Sequence, residues 1–227
     1  MHNLYLFFQV KPLIISLIPT YSIGIVYFKG GIWLNQQSFL IIHGLGGSGP
    51  DHWQTWLANE LRQRGNHVCY PTFSQFHLPN IKVWLEELHV AVQTIPTASQ
   101  LNIITHSLGC FLWMHYAARQ TKLIAKQAIL VAPPSPTAIL SEAKSFFPVP
   151  FKESHLSRTA EETLFIHSSN DPYCSLGDAK NFMDLAQPYI VLPNAGHINI
   201  DSGYGPWPWI LGQLTLDEQI ILKEGVR

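Results

Sequence analysis

The stretch LNIITHSLGC, residues 101–110, constrains this chain more than any other. A short apolar run that reads as a strand breaks at Ser107, and an apolar helical pattern, LGCFLWMHYAARQ, follows at once. A strand that turns straight into a helix lifts the side chain at the corner above the end of a sheet, and the bend tolerates little bulk around it. Gly109, two residues on, meets that demand. The helix is apolar nearly all round and so reads as buried, with free N-terminal N–H groups and a positive dipole end beside the Ser107 hydroxyl. An ordinary Ser capping a core helix would share the pattern. Partners elsewhere in the chain have to decide between the two.

The 227 residues suffice for one sizeable core, and nothing in them suggests two. Only 13% are charged and the net charge is −1, so there is neither a basic face for nucleic acid nor an acidic tail. The expected partner is a small molecule, with no nucleic acid and no firm membrane association. Cys69, Cys110 and Cys174 are odd in number and lack a C-x-x-C pairing, which argues against a disulfide framework and a thiolate zinc site. A reducing, cytoplasmic compartment is expected.

The first thirty residues are strongly apolar, but Lys11, Pro12, Pro19 and Gly24 interrupt them, and only 17 residues separate Lys11 from Lys29. No A-x-A-like cleavage site is visible. Three readings stand open: a signal or anchor, an extra element packed on the domain, or a start assigned too far upstream, with the last two ranked above the first. Residues 1–33 are therefore set apart as an apolar extension and residues 34–227 as the catalytic domain.

From Ser38 onward strands and helices alternate, the signature of a parallel sheet covered on both faces. SFLIIH ends at His43, and the Gly-rich HGLGGSG leads into PDHWQTWLANELRQRG, a helix with Pro50 and Asp51 in its first turn and Gly65 at its end. HVCYP is a second strand. NIKVWLEELHVAVQTI carries Ile81, Trp84, Leu85, Leu88, Val92 and Ile95 on one helical stripe. QAILVAP, TLFIHSS and PYIVLPNAGH read as further strands, SLGDAKNFMDLA as a helix and LGQLTLDEQIILKEG as a closing helix. The Pro- and Ser-rich stretch from Pro133 to Ser157 lacks periodicity and reads as loop or a short cap, too small for a large lid.

Acyl transfer from a Ser needs a base, a carboxylate to hold the base, and two N–H donors for the oxyanion. The corner resembles that of the α/β-hydrolases, in which the acid and then the base follow the Ser in the chain. His197, the last of eleven histidines, sits in the loop NAGHIN after the last strand and is the expected base. His106 adjoins the nucleophile, points away from it, and has a supporting role. Asp171 lies in the turn right after a strand, whereas Asp178 and Asp184 fall within a helical pattern, so Asp171 is the expected acid. The N–H groups of Leu108 and of Leu45 in HGLGGSG are the expected oxyanion donors. That loop lacks both the Walker lysine and the G-x-G-x-x-G spacing, so phosphate binding is disfavoured, and no H-E-x-x-H or comparable metal-ligand set appears. No cofactor and no metal are expected.

HGLGGSGPDHWQTWL, the HSLGC corner, NDPYCS and the AGHIN…SGYGPWP ending together resemble the RBBP9/YdeN family of small serine hydrolases, within the α/β-hydrolase superfamily. The likeness runs from about Ser38 to Trp209. Thr105 stands where a first Gly is usual, a position that varies in that family. The resemblance implies an α/β-hydrolase fold, a compact parallel-dominated sheet with helices on both faces and no large lid, and a triad on Ser107, Asp171 and His197. The expected activity is hydrolysis of small carboxylic esters, amides or thioesters through an acyl-enzyme. An acyltransferase on the same triad, or a catalytically idle interaction protein on this scaffold, are the alternatives. Trp207, just beyond His197, is an expected wall of a shallow pocket.

Overall fold

The computed structural model describes residues 26–28, 31–33 and 37–214, apart from 98, 138–139 and 186–187. By internal contacts the chain divides into two units, Met1–Leu34 and Asn35–Arg227. In the first, β1 (Val26–Phe28) and β2 (Gly31–Trp33) pair antiparallel. Strands of three residues are too short to reveal alternation, which is why the sequence does not announce them.

The second unit is built on six strands in the order β4–β3–β5–β6–β7–β8, every neighbouring pair parallel. They are β3 (Gln37–Ile42), β4 (His67–Cys69), β5 (Gln100–His106), β6 (Ala125–Val131), β7 (Ala160–Ser168) and β8 (Tyr189–Leu192). Between them run α1 (Trp53–Gln63), α2 (Ile81–Gln93), α3 (Leu108–Ala118), α4 (Glu153–Thr159) and α5 (Leu176–Met183), and α6 (Pro208–Leu214) follows β8. The period of two explains the apolar strands: Phe39 and Ile41 of β3 face one core with α1 and α6, while Leu40 and Ile42 face the other with α2, α3, α4 and α5. Strand order reverses between β3 and β5, and a parallel sheet opens its crevice beyond the carboxyl ends of the strands at such a point. The residues that follow these two strands are the Gly-rich loop and Ser107.

Three local expectations differ from the structure. Helix α1 begins at Trp53, because the His52 imidazole caps it by accepting the Gln54 N–H at 3.1 Å, and Pro50 and Asp51 lie in the preceding turn. The stretch from Pro133 to Ser157 contains a 3₁₀ turn (Ser141–Phe146) and most of α4. The turn is tied down: Ser145 accepts the Ile81 N–H and donates to the Pro79 carbonyl, and the Phe146 carbonyl accepts from His115. The last described helix starts at Pro208, whose missing N–H costs nothing at a helix start; the rest of the expected closing helix lies outside the described residues. Among the described residues no helix is long and apolar enough to cross a membrane.

The join between β3 and α3 is tight. A Cβ on Gly109 would lie 2.6 Å from the His43 carbonyl oxygen and 2.7 Å from that of Ile42, both backbone atoms with little room to move. Gly109→Ala is expected to destabilise the protein by about 3 kcal/mol, within the upper range for overpacking a core. At this chain length that lowers the thermal midpoint by about 10 °C. An unchanged midpoint by circular dichroism would show the contact to be slack.

Candidate active site

Ser107 stands at the corner between β5 and α3 with φ 53° and ψ −126°, a backbone conformation few side-chain-bearing residues adopt. Strain of this kind costs on the order of 1–3 kcal/mol and persists only when its surroundings enforce it. Here the Val131 carbonyl takes the Ser107 N–H at 2.9 Å, and Gly109 lets the helix start close against β3. A helix-capping Ser would have extended backbone and bond back to the helix. Ser107 makes no such cap bond; its Oγ lies 2.9 Å from Nε2 of His197.

The Nδ1 edge of that imidazole meets both carboxylate oxygens of Asp171, at 3.0 and 2.9 Å. A carboxylate only accepts, so Nδ1 carries the proton and Nε2 is left free to receive one from Ser107. Asp171 Oδ1 also accepts the Tyr173 N–H at 2.9 Å, which closes the turn through Pro172. Both His197 and Asp171 are buried. The structure thus brings together Ser107, His197 and Asp171. Asp178 instead accepts from Ser175 in the first turn of α5, and Asp184 ends that helix.

The Gly-rich loop is equally close. A Cβ on Gly44 would sit 2.7 Å from Cβ of Ser107 and 3.3 Å from the Leu108 nitrogen, so only glycine permits this approach. Phe73 donates its N–H to Nε2 of His43 at 2.9 Å, which leaves Nδ1–H to donate to the Gly44 carbonyl at 2.8 Å. In a trans peptide the N–H opposes the carbonyl, so turning the Gly44 oxygen toward His43 turns the Leu45 N–H the other way. Neither the Leu45 nor the Leu108 N–H has an acceptor among the described residues.

Thr105, where a glycine is usual, is fully buried and donates to the Cys110 sulfur at 3.0 Å. The Cys110 thiol then reaches the Val131 carbonyl, the same oxygen that holds the Ser107 N–H. The larger residue therefore has its hydroxyl satisfied, and burial pushes the Cys110 thiol up, leaving it protonated.

His106 donates through Nε2 to the His197 backbone carbonyl at 2.9 Å. Trp53 donates its indole N–H to the next carbonyl, that of Ile198, at 2.8 Å. Trp53 was not singled out by sequence reading; the HW pair after the Gly-rich loop was the available signal. Trp207 is not an open wall: it is buried against Trp53, Tyr204 and Trp209. The ring beside the imidazole is Tyr173, at 4.5 Å and 48% exposed, and it forms the open wall of the site. Among the described residues no cluster of three His, Cys, Asp or Glu side chains is arranged to hold a metal ion.

A family model for serine hydrolases matches residues 39–216. The chain belongs to the serine hydrolase family. Among solved structures, this serine hydrolase is similar to the ydeN gene product of B. subtilis, with 23% identity, 79% of this chain and 97% of that one covered, and a TM-score of 0.70. It is also similar to Est1E of Butyrivibrio proteoclasticus, determined with ferulic acid (14%, 84% and 90%, 0.58), and to an esterase domain from Rhodothermus marinus (17%, 79% and 87%, 0.55). At these identities the likeness shows a common α/β-hydrolase fold. A search of curated sequences returned no significant match.

Burial pulls two imidazoles of this neighbourhood down to about 4: His52, helped by the nearby His197 and His43, and His167, against the opposing pull of Asp171. His167 Nε2 finds no hydrogen-bond partner among the described residues. A folded-state value below the unfolded 6.5 means that the unfolded chain binds more protons between pH 6.5 and 4. The stability is therefore present above about pH 6.5 and lost as pH falls toward 4. Between pH 7 and 5 each of these histidines removes about 2 kcal/mol. Urea unfolding at the two pH values is expected to show a smaller acid loss in His167→Phe than in the wild type. An identical loss would mean that His167 does not contribute.

Proposed function

We propose that this serine hydrolase cleaves small carboxylic esters, and amides or thioesters by the same route, through an acyl-enzyme on Ser107, His197 and Asp171. The observation that carries the reading is the unbroken hydrogen-bonded line from the Ser107 hydroxyl through His197 to the Asp171 carboxylate. Ser107 Oγ attacks the carbonyl carbon while its proton passes to Nε2, and Asp171 holds the imidazolium that forms. The new oxyanion takes hydrogen bonds from the Leu108 and Leu45 N–H groups, a reading supported by the turn of the Gly44–Leu45 peptide away from His43 and by the lack of any other acceptor for either group among the described residues. Collapse expels the alcohol, which leaves with the proton from Nε2. Water then gives its proton to Nε2 and attacks the acyl carbon, and collapse breaks the acyl–Oγ bond, releasing the acid while Nε2 returns the proton to Ser107 Oγ. The chemistry asks for no cofactor. Strained backbone at Ser107 favours this over an idle scaffold, which has no use for it. The free thiols of Cys69, Cys110 and Cys174 suit a reducing, cytoplasmic setting.

Substrate size follows from the tethered stretch before α4. It is tied to α2 and α3, so little surface is offered to a long acyl chain, and each unburied CH₂ forgoes about 0.8 kcal/mol. With p-nitrophenyl esters kcat/KM is expected to peak between acetate and hexanoate and to fall beyond octanoate. Ser107→Ala is expected to abolish fluorophosphonate labelling and to lower kcat by on the order of 10⁴ to 10⁶, with His197→Ala similar. Turnover retained in purified Ser107→Ala protein would overturn the mechanism, and a profile rising through dodecanoate would overturn the size limit.

The catalytic domain in this proposal is residues 34–227, with residues 1–33 an extension outside the chemistry. Support comes from the division of internal contacts near Leu34. A chain starting at Leu34 is expected to hydrolyse p-nitrophenyl acetate with unchanged kcat and to melt within a few degrees of the full chain. Loss of folding would make the extension integral.

A further inference from the structure

The loop that carries His197 leaves the edge strand β8 and has no ladder to satisfy its backbone. Four successive N–H groups therefore need acceptors, and each finds a side-chain oxygen. Asn194 donates to Ser169 Oγ at 2.9 Å, Ala195 to Ser168 Oγ at 3.0 Å, Gly196 to Asn170 Oδ1 at 2.8 Å and His197 to Ser202 Oγ at 3.0 Å. Three of the four acceptors come from residues 168–170, the run that leads directly into Asp171. The oxygens that hold the base loop thus belong to the acid loop.

Asn170 is the junction. Its Oδ1 receives both the Gly196 N–H and the Ser168 hydroxyl, the latter at 2.9 Å. Asn170 adjoins Asp171 in sequence and Gly196 adjoins His197, so the Asn170–Gly196 bond and the carboxylate–imidazole pair are consecutive rungs between the same two loops. Gly196 has φ +55°, and a Cβ there would collide with Ser202 Oγ, so this approach is built for a bare backbone. Asn170 itself is solvent-exposed, and an exposed side chain with no other task would be replaceable at little cost.

We propose that Asn170 is a positioning residue for the acid–base pair: by accepting the Gly196 N–H it sets how closely the Asp171 carboxylate meets His197 and where Nε2 points. This deepens the acyl-transfer reading and rests on it for its kinetic consequence, though not for its structural one. The groups facing the imidazole are Asp171, Ser107, the Tyr173 ring, His106 from β5 and His52 at the start of α1, with His167 and Cys174 beside Asp171. Burial keeps His52 and His167 neutral above about pH 5 and holds His106 well below the usual imidazole range, and burial together with Asp171 and Asp178 pushes the Cys174 thiol up to about 12. The pair can therefore be titrated against a nearly constant background.

The test compares the full chain with Asn170→Ala and Asn170→Asp, using p-nitrophenyl acetate turnover against pH and, independently, NMR titration of the His197 ring. In Asn170→Ala kcat is expected to fall about tenfold to a hundredfold with KM within about twofold, the scale for losing a positioning contact rather than a triad member. A loosened carboxylate stabilises the imidazolium less, so the acidic limb and the NMR midpoint both move to lower pH. Asn170→Asp keeps an acceptor oxygen, so it restores kcat to within about threefold, and its added charge moves the midpoint to higher pH. A His197 midpoint unmoved in Asn170→Ala overturns the proposal, as does a kcat loss that Asn170→Asp fails to restore. An NMR midpoint that shifts as stated in a protein with no turnover would uphold the positioning role and overturn the acyl-transfer reading instead.

Discussion

The contact between the start of α3 and the end of β3 is the constraint on which the rest depends. Because Gly109 carries no side chain, the helix begins against the Ile42 and His43 carbonyls, and Ser107 is forced into its left-handed corner. The same approach brings Gly44 against Ser107, so the Ser107 hydroxyl and the backbone proposed to receive an oxyanion are set by one packing event. A strained corner is tolerable because the energy of burying α3, apolar on every side, far exceeds the roughly 1–3 kcal/mol the corner costs.

Around that corner the polar groups are held by neutral histidines rather than by ion pairs. His43 orients the Gly44–Leu45 peptide, His52 caps α1, and His106 holds the His197 carbonyl. Burial suppresses protonation of all three, so each keeps one donor and one acceptor nitrogen and can bridge two backbone groups. An ammonium or guanidinium could not accept, and a carboxylate could not donate. The cost of this choice falls at acid pH, where the unfolded chain takes up protons that the folded one refuses.

The exposed mouth has a different character. Tyr173 stands open beside His197, while Trp53 and Trp207 pack beneath the base loop and support it through the Ile198 carbonyl. Aromatic residues drawn from three distant parts of the chain are thus divided by the fold into one wall and two supports. Thr105 is a comparable adjustment: its extra bulk lies over the small Cys110, and its hydroxyl joins the bonds that converge on Val131.

Much of this was legible in the amino-acid order. Alternating strand and helix patterns identify a parallel sheet, because strands buried on both faces must be apolar throughout and the helices between them must show a stripe. Ser107, Asp171 and His197 stand out because each directly follows a strand, and strand ends converge in this architecture whatever the sequence between them. Local rules served less well where a distant group intervened. Helix α1 starts at Trp53 because an imidazole cap replaces the proline start, and Trp207 turns inward because Trp53 is there to receive it. The pairing of residues 168–170 with 194–196 has no signature at all in a linear reading, since serines and asparagines after a strand look like any loop. Which oxygen meets which N–H across 26 residues is decided only when β7 and β8 lie side by side, for hydrogen bonds act over about 3 Å and sequence patterns record only neighbours along the chain.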